Sequence, residues 1–432
     1  MGVGARDAFR EVDVSAPTFD LVVVGAGPAG AAAAMAALAI DPAARVALVD
    51  RATFPRDKVC GDGLTPSAVA TLGELGVDHV LDGFAPVGQV EVTGPAGGRL
   101  RAELSEPAHV VPRRVLDARL ANAAASRGVE LMTSRVTDLA PAGDRVVVNG
   151  RWSARYVVAA DGANSTVRRG LGLARHPDAH VGLALRGYAR VPGGPGRLDI
   201  RFVPGRFWPA YGWLFTGGDG HANVGVGTFD ATIRPNRREL ETLLSRLFPD
   251  VLIEPDSIGA HRLPLSSARP VLSAGRVLLV GDAAALVDPM TGEGIHTALL
   301  SGMLAGRACV GRSEPAGDAY RRVLRRRMGA RLRQTRLAAR AMRRPELLDS
   351  LVAAASRDPE VARAAANLML GDDSTRAWLT VGAAMIRQTL RDHTPAKPPV
   401  RGRRASQGSE SHNQNYEGEM GLAQLAPKAP VR

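Results

Sequence analysis

The stretch D-L-V-V-V-G-A-G-P-A-G-A-A-A-A-M-A-A-L-A-I-D-P-A-A-R-V-A-L-V-D, Asp20 to Asp50, decides the fold. Leu21 to Val24 form an unbroken apolar run, the pattern of a central parallel strand buried on both faces. Gly25-x-Gly27-x-x-Gly30 follows at once, and each glycine has a steric task. Gly25 permits the tight turn, Gly27 lets the backbone approach a pyrophosphate, and Gly30 lets the alanine-rich helix over 31–39 press on the sheet. Phosphates would then sit at the helix N-terminus, beside Ala29. Asp50 closes a second strand, Val46 to Val49, twenty residues after Gly30. An acid there suits a free adenosine ribose better than a 2′-phosphate, so FAD or NAD is expected over NADP, with Arg51 beside it as a further cofactor contact.

At 432 residues the chain can hold one large two-part domain or two to three ordinary ones. Its net charge of +12 is almost wholly arginine, because lysine occurs only at 58, 397 and 428. That bias is what arginine-, alanine- and glycine-rich usage gives. Nucleic-acid motifs are missing and aromatics for base stacking are few, so no nucleic-acid partner is expected. The two cysteines, Cys60 and Cys309, stand far apart; they exclude a disulfide framework and point to a reducing cytosol. No run of eighteen apolar residues occurs and the first residues lack the apolar centre of a signal peptide. A cytoplasmic protein, soluble or peripheral at a membrane, is expected, without a metal site.

Residues 1–18 read as a disordered leader and 394–432, rich in Pro, Arg, Ser and Asn without periodicity, as a disordered tail. Residues 51–66, R-A-T-F-P-R-D-K-V-C-G-D-G-L-T-P, form a loop in which Gly, Pro and charge alternate too closely for a regular element. A helix follows over 66–75, capped by Thr65. Segments 87–93 and 99–104 alternate like antiparallel strands, 114–126 is helical, and Tyr156 to Ala160 is an apolar strand. From Val181 to Phe229 the texture changes to short β runs, the last two joined by the hairpin signal G-G-D-G. A helix over 236–247, a strand over 276–280, a helix over 293–310 and further helices to about 393 complete the pattern.

Three stretches recur in a shared order: Gly25–Gly30; Asp161-Gly162-Ala163-Asn164-Ser165 with Arg168; and Gly281-Asp282 leading to Pro289, Gly292-Glu293-Gly294 and Ile295. Together they resemble the FAD-dependent oxidoreductases of the para-hydroxybenzoate hydroxylase type, over roughly 19–310. The resemblance implies that Asp282 binds a flavin ribityl hydroxyl and that the next helix aims its N-terminus at the flavin's pyrimidine edge, where negative charge collects on reduction. The loop F-P-R-D-K-V-C-G-D-G-L-T is more specific and is similar to that of the geranylgeranyl reductase family. Arg113-x-x-Leu116-Asp117, Tyr211-x-Trp213-x-Phe215 and Asn223-Val224-Gly225 match that family's other motifs, with Thr216 where proline is usual.

The fold this implies is α/β: a Rossmann-like FAD-binding domain (19–86, 105–175, 270–312), an inserted β-rich substrate domain (87–104, 176–269) and a C-terminal helical region (313–393). The reaction it implies is saturation of C=C bonds in a polyprenyl chain on a lipid or prenylquinone, with FAD as cofactor and NAD(P)H or another reductant as donor. An isolated alkene is a poor hydride acceptor, so an acid must protonate the other carbon in a dry pocket. Cys60, with Gly61, is the catalytic candidate; the competing reading is a small filler at a tight turn. Tyr211, Trp213 and Phe215 share one sheet face and, with Asn223, are read as the substrate wall, or as ordinary core. Arg113 is expected at the flavin, Arg56 and Lys58 at the diphosphate or an anionic head, and His296 and Cys309 are read as structural. Tyr320 to Pro345 holds eleven arginines and no acid, with Tyr320, Leu324, Met328 and Leu332 along one face, a pattern that could lie on an anionic membrane. The rival function is an FAD-dependent monooxygenase acting on an aromatic or natural-product scaffold. Oligomeric state is unreadable from sequence.

Overall fold

The computed structural model describes residues 17–392 apart from 269, 312–313 and 372–373. The leader and tail expected over 1–18 and 394–432 lie outside the described residues, except for Pro17 and for Thr18, which opens the first strand. The chain divides into two compact units, 1–391 and 392–432, and the description below concerns the first.

Its opening elements are β1 (Thr18–Val24), α1 (Pro28–Ile40), β2 (Val46–Asp50), β3 (Gly63–Leu64) and α2 (Pro66–Glu74). Next come β4 (Val87–Thr93), β5 (Arg99–Val110), α3 (Arg113–Ser126), β6 (Glu130–Thr133), β7 (Leu139–Ala142), β8 (Arg145–Val148), β9 (Trp152–Ala159) and α4 (Thr166–Gly170). β10 (Val181–Arg190), β11 (Arg197–Phe202), β12 (Ala210–Thr216), β13 (His221–Thr228), α5 (Arg237–Leu247) and β14 (Gly259–Pro264) form the middle. β15 (Ser273–Ala274), β16 (Val277–Leu279), α6 (Ile295–Val310), α7 (Ala316–Ala341), α8 (Pro345–Ala355), α9 (Pro359–Met369) and α10 (Thr375–Asp392) end it.

The described residues make two eight-stranded sheets. In the first, ordered β15-β16-β9-β1-β2-β6 with β8 on β9 and β7 on β8, the central strands are parallel. Both faces are covered, which is why Leu21–Val24 show no alternation: all four are buried. Small residues let helices close on that sheet. α6 lies so near α1 that a Cβ on Gly302 would stand 2.0 Å from the Ala29 carbonyl oxygen, and one on Gly306 equally near that of Ala33.

The second sheet is ordered β14-β10-β13-β12-β11-β4-β5-β3. Period-two alternation sorts its faces. Leu185, Leu214, Val224 and Val226 pack against Leu240, Leu243 and Leu244 of α5. Arg186, Tyr188, Trp213, Phe215 and Asn223 occupy the opposite face. There Leu198, Ile200 and Phe202 of β11 meet Leu348 and Val352 of α8, Val361 and Ala365 of α9 and Val381 of α10. β5 runs six residues past the alternating stretch read from sequence: Val87 pairs with Ala108 but Gln89 with Glu103, so 104–107 bulge out of the ladder.

The arginine-rich helix corrects an expectation. Tyr320, Leu324, Met328 and Leu332 of α7 are buried in the core shared with α6, and the Tyr320 hydroxyl donates to the Leu279 carbonyl at 3.0 Å. The stripe that would have lain on a membrane is used in packing. What α7 shows to solvent is mainly guanidinium, Arg325, Arg326 and Arg333 among them, with Leu337 also exposed. Among the described residues no helix is long and apolar enough to cross a membrane.

Candidate active site

The glycine turn is set by backbone contacts. Gly25 has φ +101°, and a Cβ there would stand 2.4 Å from the Ala160 carbonyl oxygen; a Cβ on Gly30 would lie 1.8 Å from that of Gly25. Gly27 differs: a Cβ there would meet only side chains, the guanidinium groups of Arg113 at 3.7 Å and Arg56 at 3.8 Å and the Asp117 carboxylate at 3.9 Å. A helix N-terminus faced by two cations fits an anionic diphosphate. Asp50 ties the turn together, accepting from the Ala26 N–H at 2.8 Å and the Ala52 N–H at 2.9 Å. Arg113 is buried and forks onto Asp117 at 2.7 and 2.8 Å, while Arg56 joins the same carboxylate at 2.8 Å. Burial opposes the Arg113 charge, yet Asp117 holds it protonated beyond the ordinary arginine range. Arg51 is exposed at the strand end, away from the cavity.

Asp161 and Gly162 stand beside this turn, outside the cavity lining. One Asp161 oxygen caps α4, accepting from Thr166 at 2.6 Å and Val167 at 3.1 Å; the other is buried without a partner, a vacant acceptor for a cofactor hydroxyl.

From the turn a cavity extends over the inner face of the second sheet. Its walls are the loop 58–65, the residues 290–295 leading into α6, the β11 and β12 side chains, and Met369 and Leu370 from the C-terminal helices. An aromatic ladder forms the sheet wall: Phe202–Tyr211, Tyr211–Trp213 and Trp213–Phe215 centroids lie 5.7, 6.0 and 6.5 Å apart. The loop backbone lies flat on those rings. A Cβ on Gly61 would come within 3.3 Å of the Trp213 Nε1, and one on Gly63 as near to Phe215, so Gly61 serves close approach. Thr216, in the place of the family's proline, accepts the Gly218 N–H at 3.0 Å and anchors the hairpin.

Asp282 lies in the cavity, 3.3 Å from the Lys58 Nζ and 3.8 Å from the His261 Nε2. Burial works against its charge, but Lys58 and His261 hold the carboxyl far below the usual range. Gly292, Gly294 and Ile295 also line the cavity; Gly281 and Pro289 do not. Gly281 is buried at the end of β16, and Pro289 is buried in a turn whose Met290 and Thr291 N–H groups donate to Asp288 at 2.8 and 3.2 Å. The N-cap of α6, Gly294, offers no side chain, and the Glu293 carboxylate just before it accepts the His296 N–H of the first turn. His296 is half-buried, and desolvation followed by Arg331 pushes it down to about 3, so it is neutral. Cys309 is core.

Asn223 departs from the substrate-wall reading. Its Oδ1 accepts from Trp213 Nε1 at 2.8 Å and its Nδ2 donates to the Cys60 carbonyl and to Asp62 Oδ2, both at 2.8 Å. It lies behind the aromatic wall and ties the loop down. Sequence reasoning also missed Arg186, 1 % exposed, which donates to the carbonyls of Lys58, Cys60 and Ser257 and to both Asp57 oxygens. Its signal was legible: an arginine at an inward position of the strand L-A-L-R-G-Y-A-R, alternating with Leu185 and Gly187. Asp62, Tyr188 and Glu293 were missed as well. Burial lifts Glu293 to about 7, against the nearby Arg331.

A dinucleotide turn joined to a second sheet over an apolar cavity defines a flavin-dependent oxidoreductase. The model of the family described as FAD binding domain matches residues 18–184. The menaquinone reductase of Mycolicibacterium smegmatis is 37% identical over 316 residues, 66% of this chain and 75% of the relative. Digeranylgeranylglycerophospholipid reductase 1 of Methanopyrus kandleri is 32% identical over 311 residues, 68% of this chain and 80% of that one. A geranylgeranyl bacteriochlorophyll reductase-like protein of Thermoplasma acidophilum superposes with a TM-score of 0.73 at 23% identity, covering 87% and 98% of the two chains, a likeness of fold. The chain belongs to the geranylgeranyl reductase family of FAD-dependent oxidoreductases. Gly25, Gly27, Gly30, Asp50, Arg56, Arg113 and Asp282 are the residues that would hold FAD, which when bound would supply hydride.

Proposed function

We propose that the protein saturates C=C bonds of a polyprenyl chain carried by a prenylquinone or lipid, with NAD(P)H or another reductant as electron donor. The observation that carries this reading is a single cavity lined by Cys60 together with an aromatic and aliphatic wall. A polyprenyl chain offers no polar handle, so it is held by apolar area, at about 25 cal/mol per Å² removed from water, and Leu198, Ile200, Phe202, Tyr211 and Trp213 supply that area. Burial pushes the Cys60 thiol up, against the pull of Arg113. A thiol that stays protonated suits the donor of the proton that an alkene takes together with hydride. The relatives' names, one a quinone reductase and one a lipid reductase, support the substrate class.

The same reading includes peripheral contact with an anionic membrane surface on the cytoplasmic side, through the exposed arginines of α7 rather than its apolar stripe.

The test is to reduce the FAD-loaded protein without air and follow polyprenyl quinones and lipids by mass spectrometry. Products gaining pairs of hydrogens are expected. No such gain, with oxygen insertion into an aromatic once air and NAD(P)H are supplied, makes the protein a hydroxylase instead. Cys60→Ala should keep its FAD spectrum and lose at least 10²-fold in rate, while Cys60→Ser keeps part of it.

A further inference from the structure

The loop 57–64 lies across the strands of the second sheet, and one row of that sheet is shaped to receive it. Trp213 of β12 stands opposite Gly225 of β13, Gly225 opposite Arg186 of β10, and Arg186 opposite Gly259 of β14, so large and small residues alternate over four neighbouring strands. The loop follows this row. Val59 lies over Gly259, where a Cβ would stand 2.5 Å from the Val59 Cγ2. The Cys60 carbonyl accepts from Arg186 Nε at 3.2 Å, and a Cβ on Gly61 would stand 3.3 Å from Trp213 Nε1.

Trp213 is a fixed reference in this row. It is buried, and its ring covers Gly225 so closely that a Cβ there would stand 2.2 Å from Cζ2. Asn223, also buried, joins that ring to the loop. Indole Nε1 only donates, so the amide oxygen must face it, and Oδ1 accepts at 2.8 Å. The amide is thereby oriented, and its Nδ2 donates to the Cys60 carbonyl and to Asp62 Oδ2, both at 2.8 Å. Trp213, Asn223 and Cys60 form one unbroken chain of hydrogen bonds, which runs from the cavity wall to a loop residue that lines the same cavity.

An apolar chain presents no polar atom by which it could be aligned, so its place is set by the wall it packs on. Protonation of one alkene carbon, while the other takes hydride, needs the acid in reach of that carbon, and a displacement of about 1 Å can lower the rate roughly 10²-fold. We propose that Asn223 is a positioning residue for this protonation, the bridge that holds Cys60 at a fixed offset from the Trp213 ring. The proposal rests on the reading of Cys60 as proton donor. Asn223 stands outside the cavity lining and acts through the Cys60 backbone. Arg186 holds the same carbonyl independently, so cutting Asn223 back changes the offset while the loop stays on the sheet.

The test uses FAD-loaded protein and a polyprenyl quinone, with Asn223→Ala, Trp213→Phe and the double variant each checked for bound FAD by visible spectrum. Asn223→Ala should lower kcat by about 10- to 10²-fold with KM within about threefold of wild type, because the chain still packs on the wall. Trp213→Phe keeps a ring there and removes the N–H; it should lower kcat about tenfold, and the double variant should stay within about twofold of Asn223→Ala, since both changes cut one bridge. A readout that needs neither turnover nor cofactor is alkylation of Cys60 in the apoprotein, mapped by mass spectrometry, with iodoacetamide and with N-dodecyl iodoacetamide. The wild-type rates should favour the chain-bearing reagent by about tenfold, and that ratio should fall toward one in Asn223→Ala. General loosening would raise both rates together and leave the ratio unmoved. Wild-type kcat in Asn223→Ala, losses that multiply in the double variant, or a ratio unchanged by Asn223→Ala each overturns the bridge. Where Asn223→Ala yields no FAD-loaded protein, Trp213→Phe decides: an unchanged kcat overturns the bridge, and a tenfold loss at constant KM supports it. Reduction that survives Cys60→Ala overturns the proposal through the functional reading, on which the alkylation ratio does not depend.

Discussion

The glycine turn and the loop 57–64 both press backbone against a neighbour, but they are built differently. The turn is held by backbone atoms and one nearby carboxylate: the Gly25 and Ala160 carbonyls set it and Asp50 closes it. The loop is held by side chains from across the second sheet, Arg186, Tyr188, Trp213 and Asn223, that meet only in the fold. A site made of backbone tolerates no added atom, whereas a site made of side chains fails in proportion to the bonds removed.

The most severe test of that contrast is Gly30→Ala. With its methyl due 1.8 Å from the Gly25 oxygen, α1 must leave the turn, and the purified protein should hold less than a tenth of the wild-type FAD, read from absorbance. Full retention would break the comparison. Arg186→Met should lower stability by about 3 kcal/mol in chemical denaturation, because three carbonyls and Asp57 lose a buried donor, while FAD content stays high. Asn223→Ala should cost about 2 kcal/mol, since Trp213 Nε1 and Asp62 each lose a partner.

A smaller effect sharpens the contrast through pH. The folded state raises Asp62 from 3.8 to about 6, so folding favours its protonated form. That contribution is complete below about pH 4 and is lost as pH rises through 6; apoprotein stability should fall by about 1–2 kcal/mol between pH 5 and 8 on this account. Asp62→Asn should change the curve by that amount, on top of the opposing slopes from Glu293, raised to about 7, and His296, pushed down to about 3. An unchanged slope in thermal melts would remove Asp62 from the titrating groups. Smallest of all, replacing exposed Arg325 and Arg326 by Gln should leave stability within about 0.5 kcal/mol while weakening sedimentation with anionic vesicles.

The same contrast explains what could be read in advance. The first sheet and its turn were legible because their determinants are neighbours in sequence: an apolar run, three spaced glycines, an acid at the next strand end. The aromatic wall was legible too, since Tyr211, Trp213 and Phe215 alternate on one strand. Asn223 was misassigned because its spacing shows the face it occupies and not the partners that use up its amide. Arg186 and Asp62 were missed because their meaning lies in burial and in contacts more than a hundred residues away along the chain. The α7 stripe was overread for a related reason: amphipathic spacing is the same whether the apolar face meets lipid or, as here, α6.

Met369 and Leu370, which close part of the cavity from the end of α9, stand on an element that contributes nothing to the glycine turn. Depth is thereby separable from chemistry. A bulkier residue at 369 would shorten the reach of an inserted chain and a smaller one would lengthen it, with the cofactor's surroundings unchanged. On the proposed function the C-terminal helices would act as a stop that sets which bond along a repeating chain is presented, leaving the reacting groups alone.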